Sequence, residues 1–143
     1  MSVSLYGSGQ TVLQVVSSTY TSSFGTSSTS FVSTGYSASI TPQSTTSKIL
    51  VLVTGGMVST ASGQTMTGTI YRGSTNLGDS TRGLVEYYVS GTLQAPANMG
   101  IVDSPSTTSS TTYTIYAKTG GGTATWNIDP CVGSIILIEI SGS

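Results

Sequence analysis

Side chains able to do chemistry are scarce in this chain. It has no histidine, which removes every Ser-His-Asp or Cys-His arrangement and the usual zinc patterns. The single thiol, Cys131, has no partner for an intrachain disulfide. It reads as a small buried apolar group, not a nucleophile. Five carboxylates remain: Asp79, Glu86, Asp103, Asp129 and Glu139. Their spacing supports neither a glycosidase-type pair nor a calcium loop. Asp103 precedes Ser104-Pro105 and Asp129 precedes Pro130-Cys131, both turn settings. Gly120-Gly121-Gly122 lacks the Lys-Ser/Thr of a phosphate loop and reads as a hairpin turn. The expectation is a protein without catalysis, cofactor or metal.

Two groups of residues stand out as contacts. Glu139 sits in an otherwise apolar C-terminal run, on the alternating face shared with Ile135 and Leu137. A carboxylate on a buried face needs a partner. It either reaches water at the strand end or pairs with a cation across a subunit contact, and Lys48 and Arg72 are the candidates. The tyrosines form the second group. Tyr20, Tyr36, Tyr71, Tyr87, Tyr88, Tyr113 and Tyr116 could line a carbohydrate-binding surface, but as a set they read first as half-buried strand residues with wet hydroxyls. Tyr87-Tyr88, in an expected loop, is the pair singled out for contact with sugar rings.

The elements that would position these residues are strands. Successive side chains on a strand point to opposite faces. Lys48–Val53 and Gly133–Ile140 are apolar on both faces, so both must be covered twice. They are the expected central strands, and their second faces the expected subunit contact, drawn from Ile135, Leu137, Glu139, Leu50, Leu52 and Lys48. Thr11–Val16, Phe31–Ile40, Met66–Arg72, Met99–Val102, Thr112–Lys118 and Ala124–Ile128 read as further strands. Residues 17–30 form a hydroxyl-rich ribbon, 77–88 a strand or structured loop, and 91–98 a loop. Turns fall at 41–47, 73–76, 103–105 and 120–122. No window carries helical spacing with caps. Eight to nine short strands predict an all-β β-sandwich, jelly-roll-like. Residues 1–10 read as an arm and 11–143 as a single domain.

Composition agrees. The chain holds 27 Ser, 25 Thr and 18 Gly at a net charge of -1. Thr, Val, Ile and Tyr suit a pleated, half-buried surface, so the reading is a hydroxyl-coated β domain and not a disordered one. Four basic residues, Lys48, Arg72, Arg82 and Lys118, cannot track a phosphate backbone, so no nucleic-acid partner is expected. The run Ile49–Val53 is too short for membrane insertion.

Five segments in order resemble a known family: Thr11–Val16, Ile40–Val51, Tyr71–Thr75, Asp103–Ser109 and Ser134–Ile140. They are similar to small β-rich virion domains of tailed bacteriophages, found as capsid decoration or cement proteins and as tail-fibre tip domains. The resemblance covers nearly the whole chain. It implies a homotrimer without enzymatic activity. The domain begins almost at Met1, with no heptad run or repeat to make a shaft. The expectation is therefore a trimeric decoration protein on the outer surface of the virion, stabilising contacts between major capsid proteins. The alternative is a tail- or head-fibre module contacting host surface glycans. On these faces, Leu137→Asp is expected to break the trimer and Ile138→Asp to break the subunit.

Overall fold

A computed structural model describes residues 9–61, 63–88, 90–91, 93–128 and 130–142, and these form thirteen strand segments and no helix. The expected arm lies outside the described residues except for Gly9 and Gln10. In chain order the strands are β1 (Val12–Tyr20), β2 (Phe24–Thr26), β3 (Val32–Ile40), β4 (Lys48–Gly55) and β5 (Met57–Thr60). They continue with β6 (Thr65–Arg72), β7 (Thr75–Asn76), β8 (Val85–Tyr88) and β9 (Leu93–Pro96). The last are β10 (Met99–Asp103), β11 (Thr111–Thr119), β12 (Ala124–Trp126) and β13 (Gly133–Ile140). The first strand runs four residues beyond its expected end at Val16, and β9 forms inside the expected loop 91–98.

Three antiparallel sheets result. The front sheet has the order β1-β13-β4-β10, and the back sheet β3-β11-β6, with β7 and β8 both along the free edge of β6. The end sheet has the order β2-β12-β5-β9. It repeats the order of the front sheet because each front strand continues into it after a short break. Taking each continued strand as one ribbon, and β7 with β8 as one, the chain makes eight ribbons. Their order is 1-8-3-6 in one layer and 2-7-4-5 in the other, which is a jelly roll.

The four front strands bend at one level, and small polar residues make the bend. Gly55 and Gly56 have φ of +74° and +70°, which a side chain disfavours. Asn127, fully buried with φ +58°, donates from Nδ2 to the carbonyls of Ser22 (3.0 Å) and Cys131 (3.1 Å). Asn98 Oδ1 accepts from the Gly55 N–H at 3.3 Å. Side chains thus satisfy backbone groups that the sheet gives up at the corner. Beneath it Trp126 is fully buried against Gly68, and its ring N–H donates to the Tyr20 hydroxyl at 3.4 Å.

The core lies between the front and back sheets. Ile49, Val51, Val53, Ile135 and Leu137 meet Ile40, Ile70, Tyr113, Ile115 and Ala117 there. Register decides which face of a central strand points inward. Leu137 pairs with Val51 and Glu139 with Ile49, whereas Ile138 pairs with Leu50 and Ile136 with Leu52. Residues directly opposite share a face. Ile135, Leu137 and Glu139 are therefore covered by their own chain, with none of their surface exposed. This corrects their expected place at a subunit contact. Leu50 and Leu52 lie on the other face, half-buried with Ile136, Ile138 and Ile140. Both faces carry large aliphatic side chains in sequence, so alternation alone could not orient them.

Three predictions follow from this packing. Leu137→Asp will unfold the subunit, because an unpaired buried carboxylate costs several kcal/mol. Ile138→Asp will keep the folded far-UV circular dichroism spectrum at room temperature. Gly68→Ala will lower stability by about 1–3 kcal/mol in denaturant titration, since the new methyl would run into the rigid indole of Trp126.

Candidate functional site

Glu139 ends the inward face of β13 and meets no cation. Its Oε2 accepts from Gln14 Nε2 at 2.6 Å and its Oε1 from the Gln43 N–H at 2.7 Å. Burial pushes its carboxyl up. The Ser47 hydroxyl, the Gln14 side chain and the backbone of Gln43 and Ser44 outweigh this and hold it below the usual range. The expected partners are engaged elsewhere. Lys48 Nζ, exposed, lies 3.4 Å from Ser104 Oγ. Arg72 Nη1 grips both oxygens of Asp103 at 2.8 and 2.9 Å. Tyr113 O–H donates to Asp103 Oδ2 at 2.7 Å. Burial and the Asp103 charge push the Tyr113 phenol far above its ordinary value. Asp103, expected in a turn, instead closes β10 and clasps the front sheet to β6 and β11 of the back sheet. Neither polar cluster opens to solvent as a reaction site, and no group of three or more metal-ligating side chains forms among the described residues.

The outer face of the front sheet is different. Register lines up Val15, Ile138, Leu50 and Val102 straight across all four strands. A second row holds Ser17, Ile136, Leu52 and Gly100, and Val12 and Ile140 extend the patch. Val12, Val15 and Val102 are 61%, 59% and 54% exposed. Lys48 is the charged residue at its margin. Sequence reading named Leu50 and Leu52 but missed the valines of the edge strands, whose exposure depends on which neighbours they have. No pocket forms among the described residues, so any contact uses open faces.

The tyrosines divide by strand parity. Tyr87 and Tyr88 are consecutive in β8 and point to opposite faces, so they do not form a paired surface. Tyr87 packs against the core, and its O–H donates to the Pro96 carbonyl at 2.7 Å. Tyr88 is 67% exposed. Tyr20 and Tyr36 stack at 4.1 Å beside Trp126. A different group gathers on the outer face of the back sheet. Tyr71 of β6 stacks on Tyr116 of β11 with ring centres 3.9 Å apart, and Phe31 meets Tyr71 edge-on at 6.4 Å. Lys118 Nζ stands 4.6 Å over the Phe31 ring. Sequence reading took Tyr71 and Tyr116 as half-buried strand residues, and no spacing connects them to each other or to Phe31.

No family model matches the chain, and no curated protein sequence does. Among solved structures it is similar to VP2 in a subviral particle of infectious bursal disease virus. That match is 16% identical with a TM-score of 0.48, over 87% of this chain and 32% of that one. A mutant VP2 of the same virus, in derived particles, is 14% identical with a TM-score of 0.39, over 92% and 39% of the two chains. The chain spans less than two fifths of the length of either. Its jelly-roll assignment rests on its own strand order.

The Glu139 site generates an acid-stability prediction. Its folded carboxyl titrates below the ordinary value of 4.5, so its contribution is present above that value. It is lost as pH falls through the lower folded value. Glu139→Gln will be less stable at pH 7 by about 1–3 kcal/mol. Its stability will also fall less steeply than the parent's between pH 4.5 and the acid transition, in urea titrations at stepped pH.

Proposed function

We propose that this chain is a virion structural protein: a homotrimeric decoration protein on the outer surface of a tailed-phage capsid, where it stabilises contacts between major capsid proteins. The observation that carries assembly is the aliphatic outer face of the front sheet. Its eight apolar side chains come from all four strands, and three of them are more than half exposed. At strand spacings of about 4.8 Å and rises of about 3.3 Å per residue, the patch covers roughly 400 Å². That matches the largest apolar patch on a typical monomer, which is often a functional surface. It is also about half of the roughly 800 Å² each partner of a stable complex buries. The hydroxyl-bearing margins must therefore join the contact. The eight apolar positions make up roughly 250 Å² of the patch, and burying them would release on the order of 6 kcal/mol before association costs.

The trimer and the place on the capsid are supported by the resemblance of the five ordered segments to phage virion domains. Near-zero net charge suits a protein held within an assembly, since little repulsion keeps copies apart. The fibre-tip reading, with host surface glycan as partner, is favoured by the aromatic group on the opposite face.

Light scattering will give a particle of three chains of 14.5 kDa. Leu50→Glu combined with Val102→Glu will reduce it to one chain without changing the far-UV spectrum. The parent will bind capsids stripped of decoration and raise their melting temperature, and the double variant will not. A parent chain that is monomeric at micromolar concentration, or that leaves the capsids unbound, would sink the proposal.

A further inference from the structure

We propose that the outer face of the back sheet is a binding surface for acidic polysaccharide, centred on Phe31, Tyr71, Tyr116 and Lys118. It goes beyond the assembly role and uses the opposite face of the sandwich, so either can fail without the other.

The two outer faces are built from different chemistry. The front face is aliphatic. The outward positions of the back sheet carry hydroxyls, with Ser33, Ser37 and Ser39 on β3 and Thr112 and Thr114 on β11. Among them the fold gathers three half-buried rings from widely separated segments. A chain with two Phe and one Trp spends one of its Phe residues here. The rings fix one another through the Tyr71–Tyr116 stack and the edge contact of Phe31. A ligand would meet an already ordered surface and lose less affinity to ordering side chains.

Sugars suit this mixture. Their C–H faces pack on rings, and their hydroxyls exchange hydrogen bonds with Ser, Thr and Tyr hydroxyls, which both donate and accept. Lys118 selects the charge. The ion pairs formed among the described residues are Arg72–Asp103 and Arg82–Glu86; Lys118 forms none, although its charge reaches the exposed Asp79 carboxylate. The Lys118 ammonium rests over Phe31, where its remaining N–H donors can meet an anionic group beside the rings. A uronate or sialate carboxylate supplies that group. One such cation does not hold a nucleic acid, and the sparse apolar area does not match a protein-sized contact.

The test is a printed array of neutral, uronate-bearing and sialate-bearing glycans, probed with the full chain and its variants. The parent will retain acidic glycans. Lys118→Gln, at a half-buried surface position, will keep the fold and lower retention about tenfold, the worth of one charge-assisted hydrogen bond. Lys118→Arg will restore it. Tyr116→Ala will lower retention further, while Tyr88→Ala, an exposed ring outside the cluster, will not. No retention of acidic glycans by the parent, or retention unchanged in Lys118→Gln, overturns the proposal. Retention of neutral glycans alone overturns the assignment of charge.

Discussion

The structure depends on the register between β13 and β4. Both strands are apolar on both faces, so burial alone would accept either face inward. A slip of one residue would turn Ile135 and Leu137 out and Ile136 and Ile138 in, with little change in apolar area. Glu139 breaks this near-symmetry. Its donors come from Gln14 on β1 and from the turn that leads into β4. In the slipped register the carboxylate would lose them. A buried charge satisfied by two neighbouring segments thus specifies one pairing, even though its net contribution to stability is modest.

The same pairing closes the fold, because β13 also holds β1 at its other edge. First and last ribbons are neighbours, so the front sheet is complete only with the whole chain. Two polar devices then fix the geometry at opposite ends of the front sheet. At one, Asn127 and Asn98 take up backbone groups released where four strands bend. At the other, Arg72, Tyr113 and Asp103 bind the edge strand β10 of the front sheet to β6 and β11 of the back sheet. With no possible intrachain disulfide and few charges, such contacts fix geometry that hydrophobic packing leaves free.

The sandwich presents two unlike outer faces. Continuous aliphatic rows on the front are costly to leave in water and suit another protein surface. Hydroxyls and rings on the back are tolerated in water and suit a wet ligand. This polarity distinguishes the two sides of the sandwich by their chemistry.

Period-two alternation and turn residues made the all-β sandwich legible from sequence alone. Lys48–Val53 and Gly133–Ile140 were recognisable as central strands because local patterning follows directly from backbone geometry. The absence of histidine and of paired cysteines was equally plain. What only the tertiary structure decided was direction. Leu50 and Leu52 pointed out while Ile135 and Leu137 pointed in, because register is set by neighbours distant in the chain. Glu139 found amide donors instead of Lys48 or Arg72 for the same reason. Tyr87 and Tyr88, adjacent in sequence, were separated by the strand's own parity, whereas Phe31, Tyr71 and Tyr116 were brought together across three strands. Contacts between residues forty or more positions apart carry no local signature, so the faces of this protein could be read only once it was folded.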